Sequence, residues 1–188
     1  MKFLDMYLNN LITRGNEDLA KSVSATATEV GNKYIRSFSF VDHEIGLLFG
    51  NVQSGKTAQM FGIMCQAADY GFPVFLLLTT DNVVLQQQTL ERVQADLEGF
   101  CVCGETDSKT FINNNLEKPV IVVLKKNVRI LKLWANVFKS TQFMIGNPLF
   151  IVDDEADAAS LNTMVNRGSQ SSINKYLDAI KNDAPSRS

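Results

Sequence analysis

Apolar side chains recur at helical spacing from the first residues. Phe3, Leu4, Tyr7, Leu8 and Leu11 fall on one face of a 3.6-residue repeat, which predicts a helix over Phe3 to Ile12. Gly15 interrupts that repeat. Asn16, whose side chain can accept from the free N–H groups of a helix start, is placed to open a second helical stretch reaching about Phe38. From Glu44 the pattern changes to short, nearly continuous apolar runs: Ile45–Phe49, Val74–Leu78, Val120–Leu124 and Leu149–Val152, with a weaker one at Phe100–Cys103. Helical stretches at Thr57–Tyr70, Asn82–Leu97 and Val128–Phe143 separate them. Strands apolar on both faces need cover on both sides, and a helix between consecutive strands permits parallel pairing. The chain is therefore expected to form a three-layer α/β/α domain with a mainly parallel sheet over residues 44–188, preceded by a helical segment over 1–43. Gly104–Lys118, with Asn113, Asn114 and Asn115, reads as a polar loop or short helix, and Ser172–Lys181 as a further helix before a polar tail.

Length and composition add limits. The chain has 188 residues, enough for one domain with a substantial core, and 45% hydrophobic against 20% charged residues marks a globular chain. The longest apolar run, around Pro73 to Leu78, is too short to span a bilayer, and Asp5, Asn9 and Asn10 break any secretory leader. A cytoplasmic protein with no membrane partner is the expectation. The formal net charge of −2, from 18 basic and 20 acidic residues, excludes a highly basic nucleic-acid wrapper. The local basic cluster is Lys125, Lys126, Arg129 and Lys132. Cys65, Cys101 and Cys103 lack the paired spacing of a metal site, and the single histidine, His43, is remote; free thiols in a reducing compartment are expected.

Candidate chemistry sits at two places. Gly50-Asn51-Val52-Gln53-Ser54-Gly55-Lys56-Thr57 fits G-x-x-x-x-G-K-[ST] at every fixed position, with an apolar run before it and a helix after it. Gly50 and Gly55 allow backbone angles and close approach that a Cβ obstructs. N–H groups from Gln53 through Ser54 to Thr57 can then surround a β-phosphate at the helix N-terminus. Lys56 would reach the β- and γ-phosphates, and the Thr57 hydroxyl would ligate Mg²⁺. A chance glycine turn is the competing reading, and the strand-to-helix context weighs against it.

The second place is Leu149-Phe150-Ile151-Val152, an apolar strand that ends in Asp153-Asp154-Glu155-Ala156-Asp157. In open α/β sheets ligands sit outside the carboxyl ends of the strands. One carboxylate there holds Mg²⁺ and the next polarises the attacking water. Asp154-Glu155-Ala156-Asp157 spells D-E-A-D, so Asp154 is expected to serve Mg²⁺ and Glu155 to act as catalytic base. Asp153 takes the first role instead if the strand ends one residue earlier. Alone, an acidic tetrad is more simply a solvated helix cap; about a hundred residues after a phosphate loop, it reads as the other half of a nucleotide site.

These residues resemble superfamily 2 helicase-like ATPases, in which the form Gln-Ser-Gly-Lys-Thr is common. More narrowly, the chain resembles the Z-one domain family, ATPases of bacterial restriction and defence loci. The likeness is carried by Gly50–Thr57, Ala67-Ala68-Asp69-Tyr70-Gly71-Phe72, Gln88-Thr89-Leu90-Glu91-Arg92 and Asp153–Thr163, and it covers about Gly46 to Thr163. The resemblance implies a RecA-like fold, ATP with Mg²⁺ as cofactors, and a two-lobed motor on DNA, often encoded with a nuclease or another defence subunit. It also implies that Thr79, Thr80, Gln88 to Arg92, Lys125, Lys126 and Asn127 face the nucleic-acid strand. A solvated helix face accounts equally for Gln88 and Arg92. The further strand ending in Ser/Thr-Ala-Thr and the second lobe with its arginine finger are not legible before Ser188, so the chain reads as the first lobe alone. Thr26-Ala27-Thr28 spells a similar triplet in a helical context and is taken as coincidence. Phe40 and His43 stand where such motors place adenine contacts, though Phe40 also reads as core.

Two other functions remain in view on sequence alone: a nucleotide-switch ATPase acting on a partner protein without DNA, and a P-loop kinase, against which the D-E-A-D carboxylates argue. No P-D…(D/E)-x-K nuclease set is legible, since the first lysine after the acidic cluster is Lys175.

Overall fold

The apolar runs after residue 70 pair as the alternation of strand and helix requires. The computed structural model describes residues 2–39, 44–48, 55–154 and 172–183. Its four strands are β1 (Val74–Thr79), β2 (Cys101–Cys103), β3 (Val120–Lys125) and β4 (Leu149–Asp153). They form one sheet in the order β2-β3-β1-β4, with every pairing parallel. Register runs from Val74↔Val120 to Thr79↔Lys125 on one side of β1 and from Val74↔Leu149 to Leu78↔Asp153 on the other. The helices are α1 (Phe3–Thr13), α2 (Glu17–Val30), α3 (Lys56–Asp69), α4 (Val83–Asp96), α5 (Ser108–Ile112), α6 (Val128–Ser140) and α7 (Ser172–Asp183). Among the described residues, no helix is long and apolar enough to cross a membrane.

Successive strand side chains point to opposite faces, so the sheet carries two cores. Phe75, Leu77, Ile121 and Val123 pack with residues of α1, α2, α3 and α4. Leu76, Leu78, Val122 and Leu124 pack with residues of α5, α6 and α7. Helices thus cover both faces, as the continuous apolar strands predict.

The N-terminal helices share the first of these cores. Leu4, Tyr7 and Leu11 of α1 and Ala20, Val23 and Ala27 of α2 are buried with α3 and the sheet. Asp69, at the end of α3, accepts from the N–H groups of Phe3 at 2.7 Å and Leu4 at 3.2 Å, satisfying the first turn of α1 from another element. The second helical stretch runs as α2 to Val30 and then widens into a π-turn over Gly31–Ile35. It widens where the chain lies against α3: a Cβ on Gly31 would come within 2.5 Å of Gln66 Cγ.

Close packing of α2 on α3 makes one substitution informative. A Cβ on Gly62 would come within 2.3 Å of Val23 Cγ1. In an open helix, glycine to alanine stabilises by about 0.5–1 kcal/mol. Here Gly62→Ala is expected to destabilise instead, by about 1–3 kcal/mol, because the fully buried Val23 must move. Chemical denaturation reads the sign directly, and a stabilised variant would contradict this packing.

One predicted strand is not in the sheet. Residues 44–48 have no regular structure, and Ile45 and Leu47 are 88% and 69% exposed; Phe49 lies outside the described residues. Apolar β-favouring residues form a strand only where a neighbour supplies the ladder and the cover. The sheet ends at β4, whose Phe150 to Asp153 are half-buried.

Candidate nucleotide site

The start of α3 is built differently from those of α1, α2, α4 and α6. Asp69 covers the first turn of α1, α2 opens with Glu17 and Asp18, and Asn82 and Asn127 cap α4 and α6 through their side chains. The start of α3 has no side-chain cap and no acidic residue in its first turn. It opens instead with Lys56, which is exposed. A cation at the positive end of the helix dipole disfavours the helix, whereas free N–H groups beside a lysine suit an anion. Gly55, before the helix, has φ +74°, and a Cβ there would also come within 2.8 Å of Leu19 Cδ1. Both the backbone angle and the proximity of α2 call for glycine.

The lengths of the elements set the position of that helix end. The 14 residues of α3 span about 21 Å and lead through a short turn into β1, whose six residues span about 20 Å. A helix packed antiparallel on a strand of equal length brings its N-terminus level with the strand's carboxyl end. There lie Thr79 and, through the Leu78↔Asp153 register, the acidic end of β4.

Strand alternation then separates the two aspartates. Phe150 and Val152 pack into the core that contains α3, while Leu149 and Ile151 face α6 and α7. The alternation assigns Asp153, the last residue of β4, to the α6–α7 face, and carried one residue further, into the turn, it directs Asp154 to the α3 face. Asp154 is still held to the sheet, its N–H donating to Leu78 O at 3.0 Å. Asp153 has a partner: Lys126 Nζ donates to its Oδ1 at 2.8 Å and to Asp154 O at 3.0 Å. The Lys126 side chain is fully buried, and that of Asp153 is 20% exposed. Leu78 lies between Leu124 and Asp153, and Lys126 stands just past the end of β3, its N–H donating to Thr79 O at 2.9 Å. Its ammonium therefore reaches across the end of β1.

Gly55, Lys56, Thr57 and Asp154 thus share one edge and one face of the sheet. Gly50, Gln53, Ser54 and Glu155 lie outside the described residues, as do Phe40 and His43. The Thr57 hydroxyl and the Asp154 carboxylate are hard oxygen donors. Two such groups are what Mg²⁺ ordinarily takes from a protein when phosphate oxygens supply other ligands, so the donor set fits that ion.

The residues expected to face nucleic acid divide between buried and exposed positions. Thr79 is buried, its hydroxyl within 3.5 Å of Leu124 O. Glu105 accepts from the Lys125 N–H at 3.0 Å and pairs with its ammonium at 3.6 Å. With Lys126 also internal, only Arg129 and Lys132 of the basic cluster are exposed. A lysine at the end of an apolar strand next to a carboxylate on its neighbour buries its charge as a pair, which composition cannot reveal. Gln88 and Arg92 are exposed on α4, although the Arg92 guanidinium lies 6.0 Å over the Phe61 ring. Asn127 donates to Asp81 at 3.0 Å, tying the β3–α6 turn to the β1–α4 turn.

Sequence reasoning missed the partnership of Lys126 with Asp153. Its available signal was position: Lys126 continues the face of Val120, Val122 and Leu124. The thiols behave as expected of buried cysteines. Burial raises that of Cys65, and burial followed by neighbouring Cys101 pushes that of Cys103 up to about 12. Comparisons of the chain with protein-family models, curated proteins and solved structures return no match.

Proposed function

We propose that this chain is the ATP-binding and ATP-hydrolysing first lobe, RecA-like, of a helicase-like DNA-dependent motor in the cytoplasm, serving a bacterial restriction or defence system. One observation carries the nucleotide reading: an uncapped helix start bearing Gly55, Lys56 and Thr57 on the same edge and face of a parallel sheet as Asp154. In this reading the free N–H groups of α3 and the Lys56 ammonium bind the β- and γ-phosphates. Thr57 and Asp154 hold Mg²⁺, which when bound neutralises charge on the phosphate oxygens. Glu155 accepts the proton of the attacking water. A second lobe would complete the motor, and a nuclease or other defence subunit would use its work.

A nucleotide switch without DNA is the second reading. The internal pairing of Lys125 and Lys126, which leaves little positive charge at the carboxyl edge, favours it. ATP turnover of the full-length protein with and without double-stranded DNA separates the two. The motor reading expects turnover to rise with DNA and Glu155→Gln to abolish it while retaining ATP binding. Turnover indifferent to DNA supports the switch, and normal hydrolysis by Glu155→Gln removes Glu155 from its role.

A further inference from the structure

Among the described residues, Lys126 is one of the largest fully buried side chains and the only charged one of these. Burying an ammonium is expensive unless close, well-formed hydrogen bonds compensate. It donates to the Asp153 carboxylate and to the Asp154 carbonyl, which brings the charge to the end of β4. If the pair served only the core, an apolar side chain would do as well at that position. What an apolar side chain cannot do is hold a carboxylate and the next carbonyl at once. Those two bonds, with the Asp154 N–H on Leu78 O, hold the Asp153 carboxylate and both the N–H and the carbonyl of Asp154.

We infer that Lys126 is a positioning residue for the cation site: it commits the Asp153 carboxylate to the α6–α7 face and thereby sets Asp154, and not Asp153, toward the divalent cation beside α3. This inference rests on the nucleotide reading above. It also decides between the two registers left open by the acidic sequence. Groups that orient a metal-ligating carboxylate typically contribute 10–100-fold to metal affinity when removed.

Binding of a fluorescent ATP analogue to the chain is titrated with Mg²⁺ and, separately, measured in EDTA. Asp154→Asn is expected to lose the Mg²⁺-dependent gain in affinity. Lys126→Met and Asp153→Asn are expected to raise the half-saturating Mg²⁺ about 10–100-fold, with affinity in EDTA unchanged. Lys126→Arg, which can reach both oxygens, should restore most of the loss, as a purely apolar packing role would not. Because Lys126→Met takes the ammonium away from a part-buried carboxylate, the variant Lys126→Met/Asp153→Leu removes both charges together. It should fold by circular dichroism and still require more Mg²⁺. A wild-type Mg²⁺ requirement in the Lys126 variants overturns the inference alone. So does loss of Mg²⁺ dependence in Asp153→Asn with its retention in Asp154→Asn. Failure of the wild-type chain to bind nucleotide overturns the functional reading and this inference with it.

Discussion

Lys56→Ala is expected to cut ATP turnover about 10²–10³-fold, the loss typical when one preorganised donor to developing charge is removed. Stability should not fall with it. Lys56 is exposed and lies at the start of α3, where its charge opposes the helix dipole. Alanine is the better helix former and removes that repulsion, so stability should stay level or rise by a few tenths of a kcal/mol, roughly. The combination is diagnostic. A structural lysine would show the reverse, intact chemistry with a lower melting temperature. Turnover and thermal unfolding measured on the same preparation separate these outcomes, and normal turnover would remove Lys56 from the phosphate site.

The largest stability effect is expected at Trp134, far from Lys56 in sequence yet tied to the carboxyl edge of the sheet. Its ring is fully buried, stacked edge-on against Phe111 at 5.5 Å and beside Phe138 at 5.7 Å. Its Nε1–H donates to Glu105 O at 3.0 Å, and the Glu105 carboxylate accepts from the Lys125 N–H. Trp134→Ala removes an aromatic filler and leaves a carbonyl without its donor, a loss of about 3–5 kcal/mol. At about 2–4 °C per kcal/mol for a chain of this size, the melting temperature should drop by roughly 6–20 °C. Leu133→Ala, one position along and 48% exposed, is the control and should move stability by no more than about 0.5 kcal/mol. Equal effects at the two positions would mean that α6 docks by another face.

Much of the α/β architecture was legible because its signals are local and redundant. Val74–Leu78 and Val120–Leu124 are apolar on both faces, a pattern that requires burial between helices whatever surrounds them. The amphipathic repeat of α6 places Leu131, Trp134 and Phe138 inside without reference to any other element. Even short β2 and the small helix α5 were visible as a weak apolar run and a polar interval. The run Ile45–Phe49 looked the same by local criteria and yet residues 44–48 lie outside the sheet, because a strand's existence depends on a partner edge that local composition does not encode.

At the candidate site the division is sharper. The sequence by itself determined the residue types: a glycine before a lysine and threonine at a helix start, and adjacent aspartates at the end of an apolar strand. Their spacing along the chain is what motivates the proposed phosphate-and-cation chemistry, which needs those groups wherever they sit. Only the tertiary structure decided which charges are available to it. The β1–β4 register places Asp153 opposite Leu78, and the reach of Lys126 across Leu78 takes that carboxylate as its partner. The same burial turns Lys125 and Lys126 from an apparent basic patch into two internal pairs. Charge type is a property of the residue and can be read from the chain; charge availability is set by distance, facing and solvent, and these exist only once the strands have paired.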